Sequence, residues 1–427
     1  MVVISDLSNI VSERKSGSLT EQVEWPEHGL TIFEMDHFVG NWLNFLGNGD
    51  LKKYGSLAWV HVHAFLERLT RLAQQQAADG TDEWLKDWFV KKDGGIQKLI
   101  YELITVEFWR EKILPAIESI DCCGLKVYLP THHELLLANI LEFFLYHSDA
   151  VYSAGDAVID LIDWCVRNVS HKKMNSDHDP SLKVSGINII RCLSENRLRA
   201  PITLSTRLFE THDVLLTLVP LLESGFWIKK IPTDKWWENN KWIPAEHDRL
   251  PKVQAQILLT IYSLVMADNT YDLSSSVRRE NLLRVRRYLN EQVFDEIPPL
   301  VDLLRALENL AISGPQTRPS GAAVFNVELV AEFRQALLQI KQIDIDNVIA
   351  FAKLHVFRKE SQDELVSYAN IMARVYEEAM LDYKPPNCPV CEQQADQRCS
   401  GCKKVYYCSR ECQIKHWGDH KVNCNIK

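Results

Sequence analysis

The sequence predicts an all-α body that is followed by a small cysteine-rich finger at its C-terminal end. Apolar residues recur at helical spacing from about residue 31 to residue 380. Seven of the eleven cysteines lie between Cys388 and Cys424. Between these regions stand Pro385 and Pro386, which are expected to end the last helix and to stiffen the entry to the finger. Because no clean sequence period is found, the body is expected to be either an armadillo- or HEAT-like helical stack or an irregular helical domain.

The domain boundaries follow from composition. Residues 1–25 are polar and poorly periodic, and are expected to form a loose N-terminal segment. Residues 26–383 are expected to form the helical domain, residues 384–387 the linker and residues 388–424 the finger.

Two neighbouring stretches show the helical pattern of the body most clearly. The first carries one apolar stripe with steps of three, four or seven residues. The stripe consists of Ile96, Leu99, Leu103, Val106 and Ile113. The second is a nearly all-apolar helix over His133–His147, and a short link then leads to a helix that ends near Arg167. Further helices are predicted near residues 55–78, 186–196, 203–222, 251–267, 276–290, 295–312, 326–341 and 344–382.

One segment of the body is predicted to be a β-hairpin. In Lys235–Ile243, aromatic residues stand on both sides of a Glu-Asn-Asn turn. The tryptophans Trp236, Trp237 and Trp242 are a candidate partner surface, because large aromatics around an exposed turn are typical of interface anchors. The alternative is that these side chains are buried and cap the helical body.

Composition and charge exclude several classes of protein. Hydrophobic residues make up 46% and charged residues 25%, a balance typical of soluble globular proteins. The net charge of −9 argues against nucleic-acid binding, although residues 384–427 carry eight basic against four acidic side chains. No apolar run is long enough to span a membrane, and no secretory signal is present. In the cytosol or nucleus that these features imply, Cys122, Cys123, Cys165 and Cys192 are expected to be reduced and mostly buried.

Common catalytic motifs are not found in the sequence. It has no phosphate-binding glycine loop, no His-Glu-x2-His and no Gly-x-Ser-x-Gly. Outside the finger, histidines pair only at His61/His63 and at His132/His133. Alternate and adjacent residues of a helix point in different directions, so neither pair is expected to bind a metal or to catalyse a reaction. The sequence therefore predicts a protein that is not an enzyme.

Eight potential zinc ligands define the finger. They are Cys388, Cys391, Cys399, Cys402, Cys408, Cys412, His420 and Cys424. Each Cys-x2-Cys pair places two thiolates on one turn, the spacing that holds a single tetrahedral ion. Eight thiolate or imidazole ligands fill two closed four-coordinate sites, so we expect two zinc ions in structural roles.

The ligand pattern resembles the MYND zinc finger. The resemblance is carried by Cys388-Pro-Val-Cys391, Cys399-Ser-Gly-Cys402, Tyr407-Cys408-Ser409, Cys412-Gln413 and His416-Trp417-x2-His420-x3-Cys424. MYND fingers interleave their ligand pairs, and they do not use the residue before the tryptophan as a ligand. The resemblance thus implies that His416 is not a ligand. It implies one zinc on Cys388, Cys391, Cys408 and Cys412, and a second zinc on Cys399, Cys402, His420 and Cys424.

The MYND resemblance also implies a peptide-binding role. MYND fingers take proline-containing extended segments, and Gln413 and Trp417 match positions beside the peptide groove. The alternative for Trp417 is that it only packs the small core of the finger. Only three residues follow Cys424, so a SET–MYND methyltransferase, whose catalytic domain continues after the finger, is not expected.

Several stretches of the body, together with the finger, resemble the zinc finger MYND domain-containing protein 10 family. They are Leu99–Trp109, His132–Glu134, Val158–Trp164, Lys241-Trp242 and Gln256–Tyr262. The resemblance implies a cytoplasmic assembly factor for axonemal dynein arms, needed for motile cilia and flagella and concentrated near the centrosome or ciliary base. It implies a leucine-rich-repeat dynein assembly factor, chaperones and immunophilin-type co-chaperones as partners, with axonemal dynein chains as clients and neither nucleic acid nor membrane bound. The alternative is a nuclear corepressor-type adaptor, which the absence of basic runs longer than two residues disfavours.

Overall fold

The computed structural model describes most of the chain between Met35 and Cys424. The residues left undescribed are 1–34, 81–82, 118–123, 171–179, 231–232, 247, 267–270, 272, 314–327, 360, 383–387, 394, 396, 400–404, 422–423 and 425–427. The predicted N-terminal segment and the predicted linker at 384–387 therefore lie outside the described residues. The chain divides into two compact units, Met1–Leu365 and Val366–Lys427.

Helices dominate the part of the body that is described, as the sequence predicts. The first nine are α1 Met35–Leu43, α2 Leu57–Asp79, α3 Trp84–Lys91, α4 Gly95–Lys112, α5 Leu114–Ile117, α6 Gly124–Leu145, α7 Ser148–Ala154, α8 Ala157–Ser170 and α9 Ser181–Glu195. The next nine are α10 Thr203–Thr206, α11 Val214–Ser224, α12 Lys252–Met266, α13 Ser276–Leu283, α14 Glu291–Glu296, α15 Leu300–Ile312, α16 Glu332–Leu338, α17 Gln342–Phe351 and α18 Gln362–Asp382. Three strands stand between α11 and α12: β1 Ile228–Lys229, β2 Lys235–Glu238 and β3 Lys241–Pro244.

The core of the body forms around α6, which packs against α2, α4 and α9. Helix α2 is capped at its N-terminus by Ser56, whose hydroxyl accepts a hydrogen bond from the Trp59 amide, and at its C-terminus by Gly80, whose φ of 59° suits a residue without a Cβ. The apolar stripe predicted from Ile96 to Ile113 is fully buried along α4 and its C-terminal end. Helix lengths run from 4 to 23 residues, which fits the irregular helical domain better than a uniform repeat.

Three of the predicted helical stretches are interrupted. The helix predicted to end near Arg167 breaks at Gly155, which has a φ of 52°. The helix predicted over 203–222 breaks at Asp213, which takes the left-handed φ of 41° although it is not glycine. The Asp213 carboxylate accepts hydrogen bonds from the Tyr271 hydroxyl at 2.8 Å and from Arg278 Nε at 2.6 Å. The stretch predicted over 344–382 divides near Phe357, whose side chain is fully buried.

The predicted hairpin is present, but its tryptophans are mostly buried. Asn239 and Asn240 have φ angles of 50° and 57°, the left-handed pair that a two-residue hairpin turn requires. Trp236 and Trp237 are only 5% and 7% exposed, while Trp242 is half-buried. The interpretation of this cluster as a partner surface is therefore wrong for Trp236 and Trp237, and the alternative of burial is confirmed for these two. They are buried where β2 packs against α12.

Cysteines of the body behave as the sequence predicts where they are described. Cys165 and Cys192 are free and buried, and burial raises the pKa of both thiols, that of Cys192 to about 12. Cys122 and Cys123 lie outside the described residues. In the described part of the chain, no helix is long and apolar enough to cross a membrane.

Glu142 of α6 should make the stability of the body depend on pH. It lines a cavity of about 340 Å³ and accepts a hydrogen bond from the Asn188 amide at 2.8 Å. Burial raises the pKa of its carboxyl from 4.5 to about 7, against the opposing effects of Asn188 and Arg191. Because the pKa is higher in the folded state than in the unfolded state, protonation of Glu142 favours folding. The free energy of unfolding therefore falls as the pH rises from 4.5 to about 7.

Glu142→Gln should therefore stabilise the body at high pH and not at low pH. Glutamine keeps the acceptor for Asn188 but carries no charge, so we expect a gain of about 3 kcal/mol near pH 8 that vanishes near pH 4. Thermal unfolding of the wild-type and variant proteins at both pH values measures the difference. If the variant differs from the wild type in stability by the same amount at both pH values, the raised pKa of Glu142 is not the cause.

Candidate metal centre and docking surface

Short elements position the ligands of the finger. Strand β4 Gln397–Arg398 pairs antiparallel with β5 Tyr406–Tyr407, and α19 Arg410–His420 follows. Cys408 comes directly after β5, and the Ser409 hydroxyl caps α19 by accepting a hydrogen bond from the Cys412 amide at 3.3 Å. Cys408 and Cys412 are thus held on either side of a fixed helix start.

Four thiols converge at the first cluster. The ligand atoms of Cys388, Cys391, Cys408 and Cys412 all lie within 4.8 Å of one another. The Sγ atom of Cys408 is 3.3 Å from that of Cys391 and 3.5 Å from that of Cys412. A zinc ion with bonds of about 2.3 Å to sulfur separates the corners of its tetrahedron by about 3.8 Å. The four thiols therefore fit one tetrahedral zinc.

Two thiols and an imidazole converge at the second cluster. His420 Nε2 lies 3.3 Å from Cys399 Sγ, and Cys424 Sγ lies 3.9 Å from the same sulfur. These separations also suit the corners of a zinc tetrahedron. Cys402, the fourth ligand implied by the sequence, lies outside the described residues.

The thiols of the first cluster shift one another's pKa values in opposite directions. The Cys391 thiol and then the Cys412 thiol raise the pKa of Cys408 to about 12. Cys388 is shifted the other way, to a pKa of about 6, because hydrogen bonds, led by one from the Cys408 amide, outweigh the penalty of burial. Bringing four thiolates this close requires a positive charge at their centre, which zinc supplies when it is bound.

His416 lies beside the second cluster but has a different partner. Its Nδ1 atom is 3.0 Å from the hydroxyl of Tyr407, a side chain that is fully buried in the finger. Its ring stacks on His420 with an interplanar angle of 14°. The imidazole therefore supports the ligand His420 from outside the group of converging ligand atoms.

Two histidine variants test this difference. We expect His416→Ala to leave the zinc content of the protein unchanged, because its nitrogen contacts Tyr407 and not the cluster. His420→Ala should release zinc from the finger, because it removes a ligand of a closed site. Zinc content is measured on the purified full chain, and a loss of metal in His416→Ala but not in His420→Ala would reverse the assignment.

The exposed side of α19 carries the candidate peptide contacts. Trp417 is 43% exposed and Gln413 is half-buried. Trp417 is therefore not fully buried in the core of the finger, although its ring also contacts that of His420. Sequence reasoning missed Ile414, which is 67% exposed and lies three residues before Trp417 on the same side of the helix. An apolar residue at this spacing from the tryptophan was the signal that could have revealed it.

Comparison with known proteins supports both the finger and the body. Residues 388–424 match the family model described as MYND finger. The chain is 22% identical to the zinc finger MYND domain-containing protein 10 homolog of Drosophila melanogaster, over 88% of this chain and 95% of that protein. This match confirms the resemblance predicted from the sequence, and the MYND finger identifies the Cys/His clusters as zinc-binding.

Other similarities are short. The chain is 39% identical over 75 residues to ubiquitin carboxyl-terminal hydrolase 16 of Arabidopsis thaliana, which covers 7% of that protein. It is 60% identical over 30 residues to a SET and MYND domain-containing protein of Dictyostelium discoideum, which covers 6% of that protein. Because so little of either relative is covered, their activities are not transferred. No solved structure matches the chain.

Proposed function

We propose that this chain, which matches a MYND-domain protein along nearly its whole length, is a cytoplasmic assembly factor for axonemal dynein arms. In this role it joins partners and does not catalyse a reaction. The coarser statement, that it is a protein-interaction adaptor with a zinc finger, follows from the long match and from the finger. The dynein-arm role is the specific form that we propose.

The observation that supports the adaptor role is the exposed face of α19, which lies next to the Cys/His clusters of the finger. We propose two zinc ions, one for each cluster. With four protein ligands each, these ions have no open position for water or substrate, so their role is structural. Trp417 and Ile414 remain exposed, as anchors of a docking surface do.

A proline-bearing extended peptide is the ligand that we propose for this surface. It would pair with β5 and pack an apolar side chain on Trp417. Arg410 and Lys415 are exposed on the same helix and would favour acidic residues that flank the peptide motif. Binding through so small a surface should be of micromolar affinity and should weaken with salt.

Affinity capture of the tagged full chain from a ciliated tissue tests the proposed function. We expect co-purification of a leucine-rich-repeat dynein assembly factor, of chaperones and immunophilin-type co-chaperones, and of axonemal dynein chains. The matched control is the same tagged chain expressed in a non-ciliated tissue, where dynein-arm chains are not made. Recovery of nuclear corepressor components in place of these proteins would overturn the proposal.

A further inference from the structure

Two imidazoles and one carboxylate meet inside the helical body. His63 and Glu67 are one turn apart on α2 and are buried, and half-buried His132 reaches them from α6. Their ligand atoms lie within 4.8 Å of one another. The sequence predicted no metal role for either histidine pair taken alone, but the fold brings one member of each pair to the same carboxylate.

The geometry of this cluster is that of metal ligands. Glu67 Oε1 lies 3.7 Å from His63 Nε2 and 3.3 Å from His132 Nδ1. Neither of these two buried nitrogen atoms has a hydrogen-bond partner. Ligands bonded to one ion at about 2.1 Å lie about 3.4 Å apart, so a single cation could engage both nitrogens and the carboxylate. Arg71 donates to the other oxygen, Oε2, which leaves Oε1 facing the imidazoles.

A hydrogen bond to His133 orients His63. Its Nδ1 atom is 3.1 Å from Nδ1 of His133, and Nε2 of His133 is 3.7 Å from Glu102 Oε1. We assign the His133 proton to Nε2, toward the Glu102 carboxylate, so that His133 Nδ1 accepts from His63 Nδ1. His63 then presents the lone pair of Nε2 to the cluster, as a metal-bound histidine does when its other nitrogen donates to a neighbour.

We propose that His63, Glu67 and His132 bind a divalent transition-metal cation that joins α2 to α6. Two imidazoles and a carboxylate are a donor set that zinc and neighbouring metals accept. Tyr128 stacks on His132 at an interplanar angle of 17° and fixes its ring. Water would fill the coordination positions that these three side chains leave open.

The test separates this ion from those of the finger by its ligands. The full chain is purified with zinc, and a mercurial thiol reagent then displaces metal that is bound through cysteine. We expect one equivalent of zinc per chain to remain bound, and cobalt at the remaining site to show no thiolate charge-transfer absorption. Complete release of zinc from the wild-type chain would overturn the proposal.

Variants identify the ligands. Before the mercurial is added, His132→Ala should keep the zinc that is bound through cysteine. After the treatment it should retain no zinc, and Glu67→Gln should behave in the same way. His61→Ala is the matched control, because His61 lies on α2 outside the cluster, and it should retain the resistant zinc. Circular dichroism checks that each variant is folded. Equal retention by wild-type protein and a folded His132→Ala variant would show that these side chains only pack the core.

Discussion

Cys399→Ser is expected to unfold the whole finger and to leave the helical body folded. The apolar core of the finger is small, with Ala395 and Tyr407 the main buried side chains beside the cysteines. So short a segment obtains most of its folding free energy from metal binding, which for structural zinc is on the order of 10 kcal/mol or more per ion. Along the chain, ligands of the first cluster alternate with ligands of the second. The loss of one site therefore frees the segment that carries ligands of the other.

Zinc analysis and melting curves measure this effect together. We expect Cys399→Ser to lose both zinc ions of the finger, while the main thermal transition of the body keeps its wild-type midpoint. Lys415→Ala is the control, because this exposed side chain of α19 is not a ligand and should leave both ions bound. A variant that keeps one finger zinc would contradict the coupling, and loss of the body transition would contradict its independence from the finger.

The double variant Gln413→Ala, Trp417→Ala should keep its zinc and lose binding to the proposed assembly partner. Neither side chain is among the converging ligand atoms, and Trp417 is exposed. Removing an aromatic anchor from a small docking surface costs about 2 kcal/mol or more, which is at least a 30-fold loss of affinity. With a starting affinity in the micromolar range, such a loss abolishes capture in a pull-down.

Titration of the full chain against the leucine-rich-repeat protein that we propose as its partner checks this expectation. Glu411→Ala is the matched control, because Glu411 is exposed on the first turn of the same helix. This substitution should leave the affinity for an acidic peptide unchanged or raise it slightly, because it removes a negative charge. If the zinc-loaded double variant binds the partner as tightly as the wild type, the contact lies on another surface of the protein.

The elements that could be predicted from sequence are those set by local spacing. The Cys388-x2-Cys391 pair and the eight-residue step from Cys412 to His420 along α19 follow from local spacing, and the hairpin follows from Asn239 and Asn240. The fate of Trp236 and Trp237 could not be predicted, because their burial depends on α12 packing against the hairpin.

The helix break at Asp213 and the cluster of His63, Glu67 and His132 could not be predicted from the sequence, because both depend on tertiary contacts. Asp213 ends a predicted helix because Tyr271 and Arg278, about sixty residues away, bind its carboxylate. His63 and His132 meet because α2 packs on α6, and no spacing within either helix reveals that contact. Local patterns thus specify the finger, whereas long-range packing determines what the body can bind.

Restoration of ciliary beating tests the central claim most directly. Cells that lack this protein are given either the wild-type chain or the Gln413→Ala, Trp417→Ala chain at equal, zinc-loaded levels, and the fraction of cilia that beat with dynein arms in place is counted. We predict that the wild-type chain restores arms and beating and that the double variant restores neither. Full restoration by the double variant would contradict the account that the finger docks the partner of dynein-arm assembly.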